Sequence, residues 1–270
     1  MYFFFNNLRL QSNWYIMLII NLVEVVMHYN INYKIGYQNI KGKWSLYFSF
    51  LGLLCLFINR LIGLIILFLG VLSIILYKKS SYNQSAIRFN YAMNYIKEGK
   101  NKQAKIILLD AIEQNKLNKE AYFFVGCILF EEEDYTNALE YLKMGGADNI
   151  ADDKLTYAMG ICYYHIENFK TAIDKLNSIS FEDNDELESC RLFVLGKSYS
   201  EIEEYEKSYT TLINLKKDNN ELKGEALEYN YYLGVNCYYL DKIEEAKKYL
   251  KKVYSVDKNY KYINLYKDCI

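Results

Sequence analysis

Residues 119–152 read KEAYFFVGCILFEEEDYTNALEYLKMGGADNIAD, and within them Gly126 is followed twelve residues later by Ala138 and four further on by Leu142. The same three anchors recur along the chain. A small residue stands at Ala92, Gly126, Gly160, Gly196 and Gly234, and a second small residue at Ala104, Ala138, Ala172, Ser208 and Ala246. Leu108, Leu142, Leu176, Leu212 and Leu250 complete the set, and successive steps are 34, 34, 36 and 38 residues. Apolar residues at spacings of three and four place one greasy face on each helix. A period near 34 marks a stacked array of helix pairs, in which each unit buries its apolar face on the next. The small residue lets the two helices of a pair approach closely.

Around these anchors, apolar residues precede the first small position (Tyr91, Val125, Met159, Leu195, Leu233), and small or apolar residues close each unit (Ala111, Gly145, Ile179, Leu215, Val253). With these residues the stretch 85–258 resembles the tetratricopeptide repeat family. The resemblance implies an all-α, right-handed helical-repeat solenoid with repeats at 85–118, 119–152, 153–186, 189–222 and 227–258, closed by a capping helix at 259–270. The family's frequent Trp at the fourth repeat position is missing (Arg88, Tyr122, Thr156, Leu192, Asn230), and the chain has no Pro. Helix ends are therefore expected to use Gly, Asn and Asp.

Residues 44–77 are almost wholly apolar, interrupted by Asn59 and Arg60. One helix of that length would span about 51 Å at 1.5 Å per residue, and a hydrocarbon core is about 30 Å thick. A transmembrane helical hairpin fits better, with spans at Trp44–Ile58 and Leu61–Tyr77 and Asn59-Arg60 at the turn; a re-entrant hairpin is the second reading. Lys34, Lys41 and Lys43 precede it, Lys78, Lys79 and Arg88 follow it, and Arg60 alone lies across. The positive-inside rule then puts the repeats on the cytoplasmic face of the cell membrane. Residues 78–84 read as a short linker. Residues 1–43 are ambiguous: 14–27 read as a third, poor span or an interfacial helix, or Met27 is the initiator and 1–26 are not translated.

Residues 1–84 hold seven basic residues against Glu24, which leaves 25 basic and 32 acidic residues in 85–270, a net of −7. An acidic repeat region argues against nucleic acid, whose phosphates need a basic face. The six cysteines, Cys55, Cys127, Cys162, Cys190, Cys237 and Cys269, form no CxxC or other metal-ligand spacing and fit a reducing compartment. His28 and His165 are isolated, no phosphate-binding glycine loop is present, and the acidic runs Glu131–Asp134 and 182–188 fall in turns. No catalytic constellation, cofactor site or metal site is expected, and the chain reads as a non-enzyme.

One stripe invites a functional reading. Five residues into each repeat stands an aromatic ring: Phe89, Phe123, Tyr157, Phe193 and Tyr231. In the family this position tends to face the concave groove, so the resemblance implies a partner-binding groove lined by these rings. The alternative is that they pack between neighbouring first helices. Four residues on, the position is apolar except at Lys197 (Met93, Cys127, Ile161, Val235). The family's cationic clamp for carboxyl-terminal peptides does not match this face. The expected function is a membrane-anchored scaffold or adaptor for a protein or peptide partner. A peptide-sensing regulator and an accessory subunit of an envelope or secretion assembly are the alternatives.

Overall fold

The computed structural model describes Gln38 and residues 44–56, 60–150, 152–181, 184–215 and 226–270. Among them every regular element is helical. An apolar pair, α1 (Trp44–Cys55) and α2 (Arg60–Lys79), precedes five further pairs. These are α3 (Ser81–Lys97) with α4 (Asn101–Gln114), α5 (Lys119–Glu131) with α6 (Tyr135–Met144), and α7 (Asp153–His165) with α8 (Phe169–Asn177). Then come α9 (Asp185–Glu201) with α10 (Tyr205–Ile213) and α11 (Ala226–Tyr239) with α12 (Ile243–Val256). The chain forms two compact units, one within Val26–Asn149 and one within Ile150–Ile270. The first holds the apolar pair and two helix pairs; the second holds three helix pairs and the terminal segment.

Each pair closes on the anchors of the repeat. Ala104, Ala138, Ala172, Ser208 and Ala246 and the five leucines from Leu108 to Leu250 are all fully buried. A Cβ placed on Gly126 would lie 2.8 Å from the Leu142 backbone nitrogen, and one on Gly196 would lie 2.5 Å from Leu212 Cδ2. These contacts are closer than van der Waals packing allows, so glycine is what lets the helices meet. Ser208, which stands where the other repeats have Ala, uses its hydroxyl. It donates to the Gly196 carbonyl at 2.7 Å and accepts from Asn236 Nδ2 at 2.6 Å, while Ser200 donates to Asn236 Oδ1 at 2.9 Å. Asn236 has no exposed surface, and this closed network satisfies it while tying the fourth pair to the fifth.

The turn inside each pair differs from the sequence expectation. One residue per turn takes a left-handed φ: Gly99 (72°), Glu133 (61°), Glu167 (61°), Glu203 (64°) and Asp241 (57°). Three of the five are Glu rather than Gly, Asn or Asp. The fold compels the conformation, because the next residue's N–H reaches back five positions to the preceding helix: Lys100 to Tyr95, Asp134 to Leu129, Asn168 to Tyr163, Glu204 to Tyr199 and Lys242 to Cys237. These bonds satisfy carbonyls that the helix end leaves open. A non-glycine residue in this region is strained by about 1–2 kcal/mol. Glu167 is exposed and loses no packing when shortened. Glu167→Gly is therefore expected to stabilise the second unit by about 0.5–1 kcal/mol, read as a higher urea midpoint; a lowered midpoint would refute the strain.

The apolar pair is held by the same close-approach device. A Cβ on Gly52 would meet the Leu67 backbone nitrogen at 2.6 Å, and one on Gly70 would meet Ser49 Oγ at 2.5 Å. Outside that seam α2 is largely exposed: ten of its large apolar side chains, from Leu61 to Leu76, are 40–70% exposed. Of the described helices, α2 alone is long and apolar enough to cross a membrane. At 12 residues α1 is about 18 Å long, shorter than the expected span to Ile58; residues 57–59 lie outside the described set, as does the stretch 14–27. The linker expected at 78–84 is corrected by the structure. Ser80 alone separates α2 from α3, because Asn83 Nδ2 donates to the Tyr77 carbonyl at 3.0 Å and Gln84 Nε2 to the Lys78 carbonyl at 2.9 Å. These amides take over carbonyls that the end of α2 leaves open. The capping helix expected at 259–270 is a 3₁₀ helix, Ile263–Cys269, with Ile263 fully buried.

Candidate protein-binding surface

All five rings of the aromatic stripe are buried, at 2–5% exposure. In the first unit Phe89 meets Phe124 edge-on with centroids 5.7 Å apart, and Phe123 meets Phe124 at 5.9 Å. Gly145 lets α6 end against Phe123, since a Cβ there would lie 2.7 Å from the Phe123 nitrogen. In the second unit Tyr157 packs on Phe181 at 5.8 Å, Phe193 on Tyr229 at 6.3 Å and Tyr231 on Tyr260 at 5.6 Å. Burial pushes the Tyr231 hydroxyl up to about 12. These rings hold helices together and offer little open surface.

Charge in the second unit gathers beside them. Lys197, the exception to the apolar pattern, is 5% exposed. Its Nζ lies 3.1 Å from Glu228 Oε2, 4.6 Å from the centre of the Phe193 ring and 4.8 Å from that of Tyr164. A buried ammonium needs such a partner, because desolvation otherwise costs several kcal/mol. Glu228 is shared. Lys261, in the terminal segment and itself at φ 43°, places Nζ 2.7 Å from Oε1 and 4.4 Å from the Tyr232 ring centre. Burial acts to raise the Glu228 carboxyl, but Lys197 and Lys261 outweigh it and hold it below the usual range. Tyr232 completes the cluster: its hydroxyl donates to Glu201, lies 3.1 Å from the Tyr164 hydroxyl and accepts from Lys261 at 3.1 Å. Lys197 was legible in the sequence as a break in the apolar pattern. Its partner Glu228, 31 residues on, carried no local signal.

The first unit holds a polar site that sequence reasoning missed. Gln38 lies before the apolar pair, and Asn90 on α3 and Asn118 at the start of α5 bind it. Asn118 is 4% exposed; its Nδ2 donates to Ser85 Oγ at 2.7 Å, and the fully buried Ser85 donates to the Ala111 carbonyl at 2.6 Å. His165, at the end of α7, packs edge-on against Tyr164 with ring centres 5.4 Å apart.

Residues 227–260, which span α11 and α12, match the family model described as tetratricopeptide repeat. Among solved structures the chain is similar to YrrB, described as a TPR protein with an unusual peptide-binding site. The likeness has 17% identity and a TM-score of 0.52, and covers 72% of this chain and 95% of that one. It is also similar to MamA from Desulfovibrio magneticus RS-1, at 18% identity and TM-score 0.46 over 66% of this chain and 98% of that one. A TPR repeat-containing protein from Cytophaga hutchinsonii matches at 14% identity and TM-score 0.44, over 96% and 99%. A search of curated proteins finds no match. The likeness to YrrB shows a tetratricopeptide-type helical-repeat fold, and the last helix pair carries the sequence of such a repeat.

Proposed function

We propose that this chain is a membrane-anchored, non-enzymatic adaptor whose repeats bind a protein or peptide partner at the cytoplasmic face of the cell membrane. The observation that carries the reading is the apolar surface of α2, where ten large side chains are 40–70% exposed, beside helix pairs that bury their own cores. Water disfavours such a surface by about 25 cal/mol per Å², and a bilayer is the solvent it suits. The contact between Gln38 and Asn90 supports a hairpin, since it brings the chain before the apolar pair onto the repeats that follow it. With Lys78 and Lys79 in the last turn of α2, the basic flank favours the cytoplasmic side.

Partner binding is supported by the fold, since YrrB, whose fold this chain shares, is described as a TPR protein with a peptide-binding site. In this reading Phe89 and Phe123 underlie a binding surface on the first unit, and Tyr157, Phe193 and Tyr231 underlie one on the second, where less buried groups, Glu228 and Lys261 among them, meet the partner. The acidic balance of residues 85–270 suits a partner segment that is basic as well as apolar. The test is capture from detergent-solubilised membranes by the tagged full chain. Glu228→Lys is expected to reduce capture at least tenfold, while Lys248→Glu, on exposed surface, leaves it intact. Equal capture by wild type and Glu228→Lys, with both folded, would remove the second unit's cluster from the binding surface.

A further inference from the structure

The hydrogen bonds around Gln38 have the form of peptide recognition. Asn90 takes both backbone groups of Gln38: the Gln38 N–H donates to Asn90 Oδ1, and Asn90 Nδ2 donates to the Gln38 carbonyl at 3.0 Å. A residue that offers its N–H and C=O to one partner presents them on one side, as a strand residue does. The side chain of Gln38 is bound as completely. Its Nε2 donates to Asn118 Oδ1 at 2.6 Å and to Glu120 Oε2 at 3.2 Å, and its Oε1 accepts from Asn118 Nδ2 at 3.0 Å. Five hydrogen bonds thus join one residue to three others 52, 80 and 82 positions away.

Of the receiving side chains, Asn118 is set in place by the fold. Asn118 also accepts the Ala121 N–H at 3.1 Å as the N-cap of α5, and it donates to buried Ser85. Its free lone pair and second N–H are therefore aimed before any ligand arrives. This arrangement discriminates among side chains by donor and acceptor count. Glutamine donates to Asn118 and Glu120 and accepts from Asn118. Glutamate has no donor and would face the Glu120 carboxylate. Lysine donates but cannot accept, and asparagine is one methylene too short to reach.

We propose that Asn90, Asn118 and Glu120 form a subsite for an extended peptide bearing a glutamine, and that the chain's own Gln38 occupies it. An outside peptide would then bind the subsite only by displacing Gln38. Such an internal occupant acts at an effective concentration near the millimolar range, so it lowers the apparent affinity of any competitor by the fraction of time the site is filled. The device would couple partner binding to the chain on the membrane side of the repeats. It deepens the adaptor reading and rests on it.

The probe is the synthetic peptide KIGYQNIKG, the sequence of residues 34–42, carrying a fluorophore and titrated by anisotropy into the full chain in detergent micelles. Gln38→Ala, which weakens the internal occupant, is expected to bind the probe at least tenfold tighter than wild type. Adding Asn90→Ala to that variant is expected to reverse the gain. A probe with glutamate in place of the glutamine is expected to bind Gln38→Ala at least tenfold more weakly, and this comparison leaves the protein unaltered if Asn90→Ala does not fold. Absence of probe binding to folded Gln38→Ala, or equal binding of the glutamine and glutamate probes, overturns the proposal. Partner capture that persists in that case leaves the adaptor reading standing; loss of both removes the adaptor reading as well.

Discussion

Gly126→Ala is expected to destabilise the first unit by about 2 kcal/mol, although alanine is the better helix former. The substitution gains about 1 kcal/mol of helix propensity. Against this, the new methyl carbon would sit 2.8 Å from both the backbone nitrogen and Cγ of Leu142. Backbone cannot rotate away, so α5 and α6 must separate, and overpacking of this kind costs about 1–3 kcal/mol or more. Gly160→Ala is the comparison. Its nearest neighbours are side-chain atoms of Leu176, at 2.9, 3.0 and 3.8 Å, and part of the strain can be relieved by rotation. The loss there should be smaller, about 1 kcal/mol. Urea unfolding followed by circular dichroism at 222 nm would measure both. A Gly126→Ala variant as stable as wild type would show that the helices are not held at this distance.

Removing residues 44–79 is expected to release the protein from membranes almost completely. Each buried Leu, Ile, Phe or Val contributes about 0.3–0.6 kcal/mol to insertion at a helix centre. The ten exposed apolar side chains of α2 then contribute about 3–6 kcal/mol, or two to four orders of magnitude in partition. The remaining repeats bury their cores on one another and are expected to stay folded in water, as repeat arrays do. Centrifugation of lysed cells should find the full chain with membranes and the deletion variant in the supernatant. The proposed orientation has a separate test. Cys269 is 8% exposed and a poor reporter, whereas Leu265, 73% exposed, makes Leu265→Cys a good one. A membrane-impermeant thiol reagent should label that cysteine only after permeabilisation. Labelling in sealed cells would place the repeats outside. A deletion variant that remains with membranes would show that the anchor lies elsewhere, and a deletion variant that aggregates would show that the pair α1–α2 is part of the protein's core.

The helix pairs and their closing contacts were legible from residue spacing, because burial at intervals of three and four is a local property. Gly126, Ala138 and Leu142 lie within 17 residues of one another, and each constrains the same helix pair. The apolar pair was legible for a simpler reason: its composition alone marks it. Turn chemistry was less so. Glu133, Glu167 and Glu203 are poor left-handed residues by intrinsic preference, and only the bonds back to Leu129, Tyr163 and Tyr199 explain their conformation.

What sequence alone determined is therefore the kind of fold, the repeat anchors and the apolar segment. The burial of Phe89, Phe123, Tyr157, Phe193 and Tyr231, the two lysines on Glu228, and the seat for Gln38 were decided by tertiary structure. An aromatic repeated once per helix pair can line a groove or fill a core, and periodicity is the same in both cases. Glu228 meets Lys197 and Lys261 from 31 and 33 residues away. Gln38 meets Asn118 across 80 positions. Such meetings depend on how neighbouring pairs stack and where the terminal segments lie, and hydrophobic spacing within one helix carries no record of either.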